Sequence, residues 1–251
     1  MTNILEIQGI SKTFGGVHAV EQCSFSVKKN SITGLIGPNG AGKTTMFNLI
    51  SGLLKSTEGS IHFKDQDITN FTAYKRARRG LARSYQAIRV FPEMTALDNI
   101  VVAFGNNKEG LFQAFTPFRR HQRRLECKAM KLLELVGLEE KAHLKAYELS
   151  YGQKKLLEIL RAKANNAELI LLDEPTAGIN PTLIKKITTL IRQFQKEGHT
   201  ILIVEHNMPF IMDLCETIIV MDRGHNIAEG KPKDIQSNKE VLEAYLGKSH
   251  A

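Results

Sequence analysis

Residues 37–44 read Gly37-Pro38-Asn39-Gly40-Ala41-Gly42-Lys43-Thr44, an instance of G-x-x-x-x-G-K-[ST]. No other stretch limits the possible folds as tightly. Its glycines let backbone N–H groups converge on phosphate oxygens, and a helix opening at Lys43 adds the positive end of its dipole. The pattern has this meaning only between a buried strand and a helix. Both neighbours fit: residues 31–36 are a short, mostly apolar run, and residues 43–50 read as a helix with Gly52 near its C-cap. Lys43 is expected to reach the β- and γ-phosphates of a nucleotide, and Thr44 to ligate Mg²⁺. The alternative, a glycine-rich turn with a chance lysine, is disfavoured by that context.

A second motif complements the first. Leu169-Ile170-Leu171-Leu172-Asp173-Glu174 is an apolar run closing on two carboxylates. A buried strand delivers such groups to its carboxyl end, where ligands gather in open α/β sheets. Asp173 is the expected Mg²⁺ carboxylate, and Glu174 the candidate general base for an attacking water. Alone, an acidic strand end before Pro175 is equally well a simple terminus; beside the phosphate loop, the chemical reading is favoured. In Leu149-Ser150-Tyr151-Gly152-Gln153, Ser150 and Gln153 have capping-box spacing ahead of the apolar Leu156, Leu157, Ile159 and Leu160. An ordinary helix start satisfies that spacing, and so does a second phosphate-binding helix N-terminus acting through Ser150 and the Gly152 amide.

Strand and helix patterns alternate around these motifs. Residues 4–10 and 23–27 alternate in polarity, with a turn at Gly15-Gly16 between them. Residues 181–197 read as a helix with Asn180 as N-cap, Pro181 at its first position and Gly198 at its end. Residues 200–204 are another buried strand, 217–221 and 225–228 a hairpin around Asp222-Arg223-Gly224, and 239–246 a short closing helix. The stretch from about 87 to 164 differs. Gly105, Gly110 and Pro117 interrupt it and 125–136 turns helical, so it reads as a helical insert. The alternation predicts an α/β domain with a mainly parallel sheet covered on both faces.

Composition narrows the class without choosing a partner. The 251 residues are 42% apolar and 24% charged, which suits a globular chain with its own core and excludes whole-chain disorder or a disulfide scaffold. The 34 Lys and Arg against 26 Asp and Glu leave a net charge of +8, which suits a polyanion: nucleotide, nucleic acid or anionic membrane surface. Cys23, Cys127 and Cys215 lie far apart without a C-x-x-C pair, so reduced thiols are expected. No run approaches the ~18 apolar residues of a membrane helix. The first residues show no basic leader before an apolar core, so no signal peptide is expected.

The phosphate loop, Gln86, the L-S-x-G-Q stretch, the L-I-L-L-D-E-P strand end and His206 after the next strand together resemble an ATP-binding-cassette (ABC) ATPase over essentially the whole chain. Other P-loop classes lack the L-S-x-G-Q element. The resemblance implies a P-loop NTPase (RecA-like) fold, with a mainly parallel core sheet, an N-terminal antiparallel β subdomain and an inserted α-helical subdomain. A single domain would span 1–251, with 1–87 and 164–251 as the nucleotide-binding core and 88–163 as the helical subdomain. It implies ATP and Mg²⁺, held between two subunits bound head to tail, each P-loop facing the other subunit's signature helix. Carried over by position, Gly37, Pro38, Asn39, Gly40, Ala41, Gly42, Lys43, Thr44 and Thr45 would cradle the phosphates. Ser150, Gly152 and Gln153 would meet the opposite nucleotide. Thr44, Gln86 and Asp173 would hold the metal. Glu174, His206 and Gln86 would carry hydrolysis, with His206 at the γ-phosphate and Gln86 also linking the site to a membrane partner. Phe14 falls where the family stacks an aromatic on adenine; a core phenylalanine is the equal rival.

Two positions depart from the common pattern. Tyr151 stands where many cassettes have glycine, and it crowds the approach to the opposite nucleotide. Asn180 stands where many have aspartate, and it also serves as a helix N-cap. Both departures recur in the ATPases of branched-chain amino acid importers, and residues 80–86, 88–91, 94–95, 106–125, 204–208 and 243–247 resemble that branch as well. Cassettes for urea or short amides, and for lipopolysaccharide export, share several of these features. The branch implies separate transmembrane permease subunits, a second ABC ATPase subunit (identical or a related paralogue), a separate substrate-binding protein, and a peripheral place on the cytoplasmic face of the inner (plasma) membrane. The basic groups Arg119, Arg120, Arg123 and Arg124, which follow Phe112, Phe115 and Phe118, read as a solvated helix face or as a surface toward headgroups or permease. Arg76, Arg78 and Arg79 read the same way. A soluble cassette acting on nucleic acid or ribosomes usually carries two cassettes or a long coiled-coil insertion. This chain has neither, and no nucleic acid partner is expected. A P-loop GTPase lacks support without an N-K-x-D motif, and a small-molecule kinase leaves L-S-x-G-Q unexplained.

Overall fold

The computed structural model describes residues 2–84, 88–104 and 118–246. Two sheets frame it. The first is antiparallel. Strands β1 (Asn3–Phe14) and β2 (Val17–Lys28) form the hairpin expected around Gly15-Gly16. The second sheet is built on β3 (Ile32–Ile36), which leads into the phosphate loop and helix α1 (Lys43–Ser51). Gly52 closes α1 in the left-handed conformation, as its position after the last helical residue predicts. The chain then returns to the first sheet through β4 (Glu58–Phe63), which pairs with the free side of β1, and β5 (Gln66–Asp67).

Helix α2 (Ala73–Ala77) and strand β6 (Leu81–Arg83) follow, then α3 (Ala96–Phe104), α4 (Phe118–Glu134) and α5 (Tyr151–Ala164). The rest alternates: β7 (Leu169–Asp173), α6 (Pro181–Lys196), β8 (Thr200–Val204), α7 (Met208–Leu214), β9 (Thr217–Asp222), β10 (His225–Gly230), α8 (Pro232–Gln236) and α9 (Lys239–Leu246). The second sheet is ordered β10-β9-β3-β8-β7-β6, parallel from β9 to β6, with β10 antiparallel at the edge. This is the α/β architecture that the alternation predicts.

Strand alternation divides the interior. Leu35, Leu169, Leu171, Leu202, Val204, Ile219 and Met221 point to one face, against α1 and the antiparallel sheet. Ile32, Ile170, Leu172, Ile201, Ile203, Ile218 and Val220 point to the other, against α3, α5, α6 and α7. Every residue of β3, β7 and β8 is buried, as expected of central strands with both faces covered. Helix α4 starts well ahead of the apolar periodicity at 125, because its basic N-terminal half is made of strong helix formers.

One expectation about the basic groups fails. Arg76 is 1% exposed, neither solvated nor free to face headgroups. Its guanidinium donates to the Leu49 and Ile50 carbonyl oxygens at 2.6 and 2.7 Å, to Thr69 O at 2.9 Å and to Phe71 O at 3.1 Å. The C-terminal carbonyls of α1 need donors, and a planar fork of N–H groups supplies several from one residue. Arg78 remains exposed and Arg79 half-buried.

Candidate functional site

The phosphate loop leaves β3 at Gly37 and enters α1 at Lys43. Gly37 has φ 151°, and a Cβ there would lie 2.0 Å from the Met221 carbonyl oxygen. Gly42, the N-cap of α1, has φ 97°, and a Cβ there would lie 2.4 Å from Ala19 O. Only glycine fits either place. With glycine as N-cap, no side chain covers the first N–H groups of α1, and they stay available to an anion. Lys43 is buried, and its Nζ donates to the Gly37 and Pro38 carbonyl oxygens at 2.7 and 2.8 Å. Burial lowers its pKa, and the nearby Glu174 charge opposes that shift. Asn39, Gly40 and Thr44 are exposed, and Thr45 is half-buried.

Strands β3, β8 and β7 lie side by side, with Asp173 opposite Val204 and Val204 opposite Leu35. Their carboxyl ends therefore meet beside the loop. Asp173 is buried; its Oδ2 accepts from Arg83 Nη2 at 2.8 Å, and its N–H donates to Ser84 Oγ at 3.2 Å. Arg83 also donates through Nη1 to Asn48 Oδ1 at 2.7 Å and Ser51 Oγ at 2.9 Å, both on α1. At Glu174 the backbone turns left-handed, with φ 46° and its N–H donating to Val204 O at 2.9 Å. A non-glycine residue keeps such a conformation only where its surroundings over-determine it. The turn brings Glu174 Oε1 to 3.1 Å from His206 Nε2. Lys43, Asp173, Glu174 and His206, from well-separated stretches, thus gather at one end of the sheet.

Residues 20–177 match the sequence family described as "ABC transporter". The chain belongs to the ABC transporter family. The end of this cassette, residues 225–251, matches a second family, "Branched-chain amino acid ATP-binding cassette transporter". The cassette is 39% identical to the Escherichia coli "High-affinity branched-chain amino acid transport ATP-binding protein LivG", covering 98% of each chain. It is equally similar, over the same shares, to the protein of that description named BraF from Pseudomonas aeruginosa. Among solved structures, a nucleotide-free ATP-binding cassette from an ABC transporter superposes with TM-score 0.86 at 35% identity, covering 98% of this chain and 100% of that one. An ATP-binding cassette of an ABC transporter in its ADP conformation gives TM-score 0.83 at 34% identity, covering 99% of this chain and 100% of that one. The cassette therefore has the P-loop NTPase fold and is an ATPase subunit of a transporter.

Among the described residues, the remaining predicted site residues of the cassette lie in two other places. Phe14 is 44% exposed with Lys12 Nζ 5.0 Å from its ring centre, so the core reading of Phe14 fails. It pairs with Val17 at the tip of the hairpin whose Ala19 abuts Gly42. At the start of α5, Ser150 accepts from Gln153 N, and the Gln153 side chain accepts from Ser150 N at 3.0 Å: the capping box is formed. Tyr151 is exposed and lies over Gly178. Ser150, Tyr151, Gly152, Asn180 and Lys186 line a groove of about 440 Å³ that no phosphate-loop residue enters. Asn180 caps α6, its Oδ1 accepting from Leu183 N at 2.9 Å. Gln86 lies outside the described residues, as do Phe112 and Phe115.

Sequence reasoning passed over Arg83 and Glu205, both in contact with this site. The signal was a charged residue within or directly after a short apolar strand, L-A-R in β6 and T-I-L-I-V-E at the end of β8. Such a group is buried only when something charged or strongly polar meets it.

Proposed function

We propose that this cassette hydrolyses ATP to power import of branched-chain or other hydrophobic amino acids through separate transmembrane permease subunits. The observation that carries the reading is the agreement between the amino acid transport match at residues 225–251 and the full-length likeness to LivG and BraF. No helix among the described residues is long and apolar enough to cross a membrane, so the reading places the pore in other chains. It also places the cassette peripherally at the cytoplasmic face of the membrane, beside a second ATPase subunit and downstream of a separate substrate-binding protein.

The site chemistry supports ATP and Mg²⁺. The glycine cradle leaves backbone room for phosphate, and α1 presents uncapped N–H groups to it. Thr44 and Asp173 offer the hard oxygen donors that Mg²⁺ prefers, and Gln86 is the third residue assigned to it. Bound there, Mg²⁺ would neutralise charge on the β- and γ-phosphates. Lys43, now held by two loop carbonyls, would exchange them for phosphate oxygens. Glu174 would take a proton from the attacking water, and His206, already at its side, would hold the γ-phosphate. Ser150, Gly152 and Gln153 would complete the site of a second cassette, and Phe14 would stack on adenine.

The test is purification of the tagged chain from gently solubilised membranes, followed by uptake of labelled leucine. Two hydrophobic permeases and a second cassette should accompany it, and Lys43→Ala should abolish uptake. Ribosomal partners without a membrane protein would overturn transport, and a complex that moves urea or lipopolysaccharide instead would overturn the cargo.

A further inference from the structure

We infer that Glu205 is a positioning residue that fastens the segment carrying Glu174 to the segment carrying His206. Glu205 is 3% exposed and follows β8 directly. Its Oε1 accepts from the Thr176 N–H at 2.7 Å and from the Thr176 hydroxyl. Its Oε2 accepts from the His206 N–H at 2.8 Å and the Asn207 N–H at 3.1 Å. One carboxylate thus bridges the chain two residues after Glu174 to the chain at His206. On the far side of the same bridge, His206 Nε2 and Glu174 Oε1 stand 3.1 Å apart.

The chemistry requires an ionised carboxylate. All four partners are donors, and only a group with acceptors on both oxygens satisfies them together. Hydrogen bonds to a charged acceptor are about twice as strong as neutral ones. A glutamine of the same shape would turn an NH₂ group against N–H donors on one side and release that segment. Asn207 secures the other flank by accepting from Phe210 N at 3.2 Å to cap α7, so the His206 backbone is held on both sides. Glu205 touches no reacting atom. Its action lies in fixing how Glu174 and His206 face one another, and a displacement of about 1 Å between such groups costs about 100-fold in rate.

The inference rests on the assignment of Glu174 and His206 to hydrolysis, and the experiment separates the two. ATPase turnover and ATP affinity are measured on the full chain for Glu205→Gln, His206→Ala and the double variant, with Glu205→Asp as the variant that keeps the charge. Glu205→Gln should lower kcat about 10- to 100-fold with KM for ATP nearly unchanged. On the His206→Ala background the same change should alter kcat less than about twofold, because the contact it protects is already gone. Glu205→Asp should retain more activity than Glu205→Gln. An undiminished kcat in Glu205→Gln overturns the inference, and so does an equal loss on both backgrounds. Unaltered turnover in His206→Ala alone overturns the hydrolytic assignment first. If Glu205→Gln does not fold, the cycle with Glu205→Asp decides by the same two criteria.

Discussion

Arg83 and Asp173 show how a single pair ties the site to the fold. Both side chains are almost wholly buried, at 7% and 6% exposure, and the contact spans 90 positions of sequence. Deleting one partner of a buried pair leaves the other charge uncompensated, at a cost of about 3–5 kcal/mol. Arg83→Leu should therefore lose about that much unfolding free energy, and adding Asp173→Asn should restore most of it. Denaturant titration of both variants measures this; a loss below about 1 kcal/mol would mean the pair behaves as a solvated one. The sequence reading passed over this arginine, because β6 is three residues long and nothing local in L-A-R-S points to the end of β7.

At the scale of elements, α1 connects chemistry to packing. Its N-terminus opens without a side-chain cap beside the phosphate loop, and its C-terminus closes on Gly52 and on the Arg76 guanidinium. Arg76→Met should leave the Ile50 carbonyl buried without its donor, at about 1–3 kcal/mol, while the Leu49 carbonyl keeps the Gly52 N–H. Arg76→Lys should recover only part of that, since one ammonium cannot span carbonyls on both sides of a planar fork. Thermal unfolding of the two variants checks the order wild type, lysine, methionine; equal midpoints would remove the capping role. The same residue shows the limit of charge patterning. A cluster of three arginines reads as solvated, yet α2 is five residues long, and the end of α1 decides which arginine it buries.

At the scale of the whole molecule, the phosphate loop and the signature groove occupy separate places in one chain. The loop stands at the carboxyl ends of β3, β7 and β8, and the groove lies between α5 and α6. This separation supports the proposed shared site, in which one part comes from each of two cassettes. Glu174→Gln should lower ATP turnover by about 10²–10⁴ while keeping ATP affinity. In ATP it should elute as a dimer in size-exclusion chromatography. Lys43→Ala, which removes the proposed phosphate contact, should stay monomeric in the same buffer. A Glu174→Gln chain that hydrolyses normally would remove Glu174 as the base, and an ATP-loaded monomer would remove the shared site.

What the sequence determined by itself is what local rules encode. The glycine spacing of residues 37–44, the apolar run into Asp173 and Glu174, the Ser150–Gln153 capping box and the Asn180 N-cap all involve neighbours within a few residues, and each forms in the structure. β4, β5 and β6 were not legible, because they lack the continuous apolar run that marks the equally short β3, β7 and β8. Tertiary structure alone decided that Phe14 is exposed, that Arg76 caps a helix, that Arg83 pairs with Asp173 and that Glu205 bridges Thr176 to His206. The reason is physical. A buried charge is stabilised by groups brought to it from elsewhere in the chain, and the strand order that brings them is set by packing on both faces of the sheet.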